Sequence, residues 1–280
     1  MPQSTPYGPQ RRAEEPLQCP QPGRSRPGRI SGTALPFGVH LSNGAYGSAS
    51  NLHLIYGGAN ILGLGAIALV ITYIETWLVQ TFVGVPLPAY LLGVTAQVPG
   101  PDAQVWSALI NILPFVNFLL ILRMSSLAGY HAAEHKVVTT IERYGYATYE
   151  LAKEMPRVHP RCGTVLLLGI LPVLLVAIPL LYIEPVWALV VAIVGWFLRY
   201  HTGFFVQNYF TTKTPTPKQL KAGLHAGNTL LERWREDPHK KVPWLKSLWI
   251  RGIPQMVIGL VIMSRVLSLV YDHLHIWLDF

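Results

Sequence analysis

Five long apolar runs constrain this chain more than any other feature of its sequence. A spanning helix needs about 20 consecutive apolar residues. The first run, Gly57 to Gly84, exceeds that length, and the second covers Val105 to Met124. The third starts at Gly163, the fourth at Val186, and the fifth covers Ile253 to Tyr271. Only Glu184 and Pro185 separate the third from the fourth, which predicts a tight helical hairpin. Pro114 is expected to kink the second run, with neighbouring helices satisfying the freed carbonyl. Arg265 lies inside the fifth, which either spans or lies amphipathically in the interface. Only 13% of the residues are charged, about half the share of a soluble domain. The expected fold class is an all-α integral membrane protein with four to five transmembrane helices, whose first partner is the lipid bilayer.

The positive charges divide the chain into two sides. Five lysines and arginines lie before residue 50, six lie from Arg123 to Arg161, and ten lie from Arg199 to Arg251. None lies between the first two runs or at the hairpin tip. By the positive-inside rule this predicts a multi-pass protein of the cell inner membrane, with its N-terminus and the loop at 124–163 in the cytoplasm. The net charge of +8 then reflects topology and implies no nucleic-acid partner. Residues 1–50 are rich in Pro, Gly, Ser and Arg and read as a disordered basic tail without the apolar stretch of a signal peptide. Residues 51–104 hold the first transmembrane helix and an outer loop, 105–235 a membrane core, and 236–280 a linker and the C-terminal hydrophobic helix. The segment from Pro217 to Arg235 sets Leu220, Leu224, Leu230 and Leu231 among basic residues. It reads as a surface helix against anionic lipid head groups. In the first run Glu75 is an intramembrane carboxylate near its outer end, and Asn117 in the second suits helix–helix bonding.

Chemistry concentrates in "GYHAAEHKVVTTIERYG", Gly129 to Gly145, on the charged loop. Residues 126–144 lack proline and suit a helix. There His131 and His135 stand about 40° apart and Glu142 returns to within about 20° of His131. Glu134 sits about 60° to the side of His131. Two histidines at i and i+4 can reach one metal ion. His-x-x-Glu-His is the inverted zincin order, in which the glutamate serves as the base. Glu142 lies about 10 Å along the axis from His135, so it is an alternate ligand. A second cluster, "HPRCGT", places His159 and Cys162 three residues apart just before the third run. Cys162 sits near a helix N-terminus, which favours thiolate. Imidazole and thiolate both suit zinc. His131, His135, His159 and Cys162 are therefore the first-choice ligands of a Zn2+ site, and two cysteines as distant as Cys19 and Cys162 make no disulfide framework.

"YHAAEHKVVTTIERYG", then "HPRCGT" and an apolar run, resembles the YqhQ-like bacterial membrane family, domain of unknown function 1385. The match runs through Tyr130, His131, Ala133, Glu134, His135, Lys136, Glu142 and His159 to Thr164. "FTTKTPTPKQLKAGLHA", Phe210 to Ala226, resembles the segment after that family's last shared span. The resemblance covers about residues 105–235, while the fifth run looks added to the family pattern. It implies a metal-dependent membrane enzyme.

The function expected is a zinc-dependent hydrolase at the cytoplasmic membrane face. Glu134 is its general base, and Lys136, Arg157 or Arg161 steadies a developing anion or an acidic head group. The alternative is a non-catalytic membrane scaffold whose zinc staples the loop onto the helices, since four-ligand sites bearing thiolate are commonly closed. A transporter fits less well, because no run shows paired interruptions or a chain of intramembrane charges.

Overall fold

The first apolar run folds as one continuous helix, but an ordered element precedes it. In the computed structural model, residues 27–91, 107 and 110–278 are described. They begin with an antiparallel hairpin, β1 (Ser31–Leu35) and β2 (Gly38–Ser42), in register from Ser31 opposite Ser42 to Leu35 opposite Gly38. The helix α1 (Asn51–Val83) follows, and Gly84 ends it in the left-handed conformation at φ 74°. A short α2 (Leu87–Leu91) comes next. Then come α3 (Leu113–Met124), α4 (Leu127–Tyr144) and α5 (Tyr149–Glu154). The apolar helices α6 (Gly163–Ile183) and α7 (Pro185–Val206) lead into a π-helical turn at Gln207–Thr211. The chain finishes with α8 (Pro217–Glu236), α9 (Trp244–Ile250) and α10 (Ile253–Leu278).

Three helical segments are long and apolar enough to cross a membrane, Asn51–Val83, Pro185–Thr211 and Ile253–His273. They mark a membrane protein. Between α3 and α4 the chain bends by 69°. Part of the second run before Pro114 lies outside the described residues, and the chain turns at residues 111–112 just ahead of it. Pro114 sits in the first turn of α3, where the missing N–H costs nothing. The fifth run lies along α1, so closely that a Cβ on Gly259 would meet the Ile55 carbonyl oxygen at 1.9 Å. The amide of Gln255 donates to Asn51 Oδ1 at 2.8 Å, so the two helices start together and run parallel. In the α6–α7 hairpin a Cβ on Gly203 would lie 2.1 Å from the Val165 carbonyl oxygen. Small residues allow such close helix packing where apolar lipid offers no hydrophobic drive. Asn117 on α3 donates to Thr72 Oγ1 at 2.9 Å and to Glu75 Oε2 at 2.7 Å. Glu75 is thereby paired within its helix bundle.

Residues 27–50 correct the expectation of a tail disordered to residue 50 and add a two-stranded hairpin to an otherwise helical fold. Val39 and Leu41 of β2 are buried with Tyr130, Val137 and Ile141 of α4 and with Leu224, Leu230 and Leu231 of α8. Two five-residue strands make too little contact to order themselves, and these helices supply the missing surface. Residues 1–26 lie outside the described residues, as does most of the expected outer loop. Helix α8 buries its leucines in the core made with α4 and the hairpin, so protein covers its apolar face. The Thr216–Gln219 capping box starts that helix. Thirteen of the 18 residues of α4 are buried. It packs against the hairpin and the charged helix α8.

Candidate metal centre

Helix α4 presents His131 and His135 one turn apart, and each ring is fixed by a backbone carbonyl. His131 Nδ1 lies 3.0 Å from the Thr211 oxygen and His135 Nδ1 lies 2.7 Å from the Arg157 oxygen. A carbonyl only accepts, so each ring donates from Nδ1, which leaves Nε2 as the nitrogen available to a ligand. His131 Nε2 is 3.3 Å from Cys162 Sγ. His135 Nε2 is buried without a hydrogen-bond partner among the described residues. The ligand atoms of His131, His135 and Cys162 all lie within 4.8 Å of one another. Burial, with His131 alongside, holds the His135 imidazole well below its ordinary pKa, so the ring is neutral.

These features fit a metal ion. An orphaned buried polar atom costs about 1–3 kcal/mol, and coordination removes that cost. Carbonyl-held Nδ1–H groups are the usual outer support of metal-binding histidines. Two nitrogens and a thiolate suit zinc.

The π-turn builds half of this support. Its Thr212 N–H donates back to the Gln207 carbonyl at 3.0 Å, five residues earlier. Thr211, at the end of that turn, offers the carbonyl that holds His131. Gln207 is fully buried. Its Oε1 accepts from the His159 N–H at 2.9 Å, and its Nε2 donates to Thr164 Oγ1 at 3.2 Å. Thr164 Oγ1 in turn lies 3.1 Å from Cys162 Sγ. Gln207 thus ties the His159–Thr164 turn to the end of α7. The sequence reading missed it, although a glutamine closing an apolar run is a signal in its own right.

His159 and Glu142 stand beside the cluster. His159 Nε2 is 3.6 Å from Glu142 Oε2, and Arg161 forms an ion pair with the same oxygen. The His159 ring remains 5.7 Å from the His135 ring, centre to centre. Burial lowers the His159 pKa, and Glu142 opposes that shift.

Glu134 is buried one residue before His135, and Gly32 of β1 covers its carboxyl. Burial pushes its pKa up to about 8, with His131 opposing and Cys162 adding to the shift. Glu134, His135, His159 and Cys162 line one cavity of about 310 Å³, roofed by Arg29 to Gly32. Arg161 and Arg251 complete the charged part of the lining. Of the three expected anion-steadying residues, only Arg161 lines it. Lys136 donates to the Lys153 and Met155 carbonyls, which fastens α4 to the end of α5. Arg157 donates from Nε to Asn208 Oδ1 at 2.9 Å.

A family model described as a protein of unknown function (DUF1385) matches residues 56–199. The match begins inside α1, earlier than the motif-based resemblance, and stops within α7, before the Phe210–Ala226 motif. It spans the His131, His135 and Cys162 cluster and leaves out the hairpin, the π-turn and everything after it. No curated protein and no solved structure matches the chain.

Proposed function

The chain belongs to the DUF1385 family, proteins of unknown function, whose model matches more than half of it, and we propose that it is a metal-dependent membrane hydrolase. The observation that carries this reading is a buried carboxyl, Glu134, in the same cavity wall as two members of a three-residue His/His/Cys group. His131, His135 and Cys162 would hold the ion, most simply Zn2+, which supplies Lewis-acid chemistry when bound. Glu134 holds a proton beside that group and exchanges it with whatever occupies the cavity. The hairpin and Gly32 exclude water from its other side. Three converging side chains are one fewer than a closed structural zinc site uses, which favours catalysis.

The scaffold reading has one observation in its favour. The His159 ring is near enough to the cluster that a turn of its side chain away from Glu142 would bring a fourth ligand. The basic segments around the site support its placement at the cytoplasmic face of an inner membrane.

Elemental analysis of purified protein tests both readings. About one zinc per chain is expected in the wild type, and none in His131→Ala/His135→Ala. Full retention in that double variant refutes the metal site. Glu134→Gln should keep its zinc yet fail to complement a deletion strain. If Glu134→Gln complements fully and only the ligand variants fail, the scaffold reading stands instead.

A further inference from the structure

The cavity beside the cluster is more cationic than metal ligation requires. Three arginines line it, Arg29 before β1, Arg161 before α6 and Arg251 before α10. They come from three distant parts of the sequence, so no local charge run accounts for their meeting. Arg161 is paired with Glu142. Arg29 and Arg251 pair with no carboxylate among the described residues. Even with Glu134 and Glu142 both ionised, the balance of these five groups is positive. Arg251 is aimed by a hydrogen bond from Nη1 to Ser31 Oγ at 3.1 Å, so the hairpin fixes it relative to the cavity.

We propose that this cavity binds the phosphate group of a substrate, held by Arg29, Arg161 and Arg251 next to the His/His/Cys cluster. The proposal rests on the metal-centre reading for what happens to the substrate, but the anion site stands on the arginines alone. A carboxylate has two oxygens, which one guanidinium fork satisfies. Three arginines brought to one cavity from separate segments, two of them with no carboxylate partner among the described residues, suit a tetrahedral anion with three free oxygens. Arg is also the side chain best matched to bidentate phosphate binding. At about 310 Å³ the cavity lies at the small end of ligand pockets, which suits a head group rather than a whole lipid. Arg29 and Arg251 both fall outside the family-matched residues 56–199. The family-matched residues thus carry the His/His/Cys group and Arg161, and the flanking segments of this chain add the other two arginines.

Calorimetric titration of the full chain in detergent tests this, with inorganic phosphate and with water-soluble dihexanoyl phosphatidic acid as probes. Arg29→Gln is the primary variant, because Arg29 is exposed and its loss leaves the fold in place. Arg29→Gln/Arg251→Gln is the second. The wild type should bind at least one probe, and each variant should bind it at least tenfold more weakly with its zinc content unchanged. Tighter binding of the phosphatidic acid assigns the site to a lipid head group, whereas equal or preferential binding of inorganic phosphate assigns it to a soluble substrate. Arginine-dependent binding in a protein without zinc sinks the metal reading and keeps this one. Zinc-loaded wild type that binds neither probe, or variants that bind as the wild type does, overturns the phosphate site.

Discussion

Gly32→Ala measures how tightly the hairpin is fitted to the site. A Cβ at Gly32 would stand 2.3 Å from Glu134 Oε1, 2.4 Å from Cδ and 2.5 Å from Cγ. Ordinary contact is more than 3 Å, so one partner must move by about 1 Å, and overpacking of this kind costs about 1–3 kcal/mol. Gly32 is held opposite Leu41 in the hairpin, and Leu41 is fully buried against α4 and α8. The strand therefore resists, and the carboxyl yields. Gly38 belongs to the same hairpin, yet a Cβ there meets nothing within 4 Å, so Gly38→Ala is the matched control. Thermal unfolding in detergent should show a midpoint several degrees lower for Gly32→Ala and little change for Gly38→Ala. Shortening Glu134 removes the clash. Gly32→Ala should then cost markedly less in a Glu134→Ala background, with a coupling of about 1 kcal/mol or more. Equal midpoints for the two glycine variants, or strictly additive effects of Gly32→Ala and Glu134→Ala, would refute this account.

Acid should loosen the hairpin through His40. Its ring is neutral and doubly bonded, Nε2 to the Ile250 carbonyl at 3.0 Å and Nδ1 to the Ala49 N–H at 3.1 Å. Burial lowers its pKa from 6.5, and the Ile250 carbonyl opposes that shift. The unfolded chain then binds the proton first, so the stabilisation is complete above pH 6.5 and fades as the pH falls toward the depressed folded value. His40→Gln, which can make both bonds without titrating, should flatten this limb of the melting-point profile; identical profiles count against it. Orientation is checked by a reporter that fluoresces only in the cytoplasm. A fusion after Lys240 should be bright and one after Pro99 dark, and brightness at Pro99 reverses the proposed sidedness.

The parts of the site that lie close in sequence were legible. His131 and His135 are one helical turn apart, so their shared face follows from the period of the helix, and Cys162 stood out in a compact motif. What the sequence concealed depends on partners far along the chain. Val39 and Leu41 looked like isolated apolar residues in a Pro/Gly-rich stretch, because their partners on α8 lie close to 190 positions later. Arg251 read as one charge among ten before the last run, and only the hairpin turns it toward the site. The leucine stripe of α8 was visible as an amphipathic face, but its period does not say whether protein or lipid covers it. Glu142 showed the same limit. Its helical angle suited a ligand, while the choice between metal, His159 and Arg161 belongs to the tertiary structure.

The parallel docking of α10 on α1 also sets an order of events during synthesis. His40 bonds to a carbonyl 210 residues later, Ser31 receives Arg251 220 residues later, and Asn51 receives Gln255 204 residues later. At about 5–20 residues per second, the hairpin waits roughly ten to forty seconds on the ribosome for these locks to arrive. The residues of the His/His/Cys cluster emerge during that wait, beneath a roof not yet fastened. The cavity wall beside the cluster is therefore open to solvent until the segment before the last helix is made and fastens the hairpin over it.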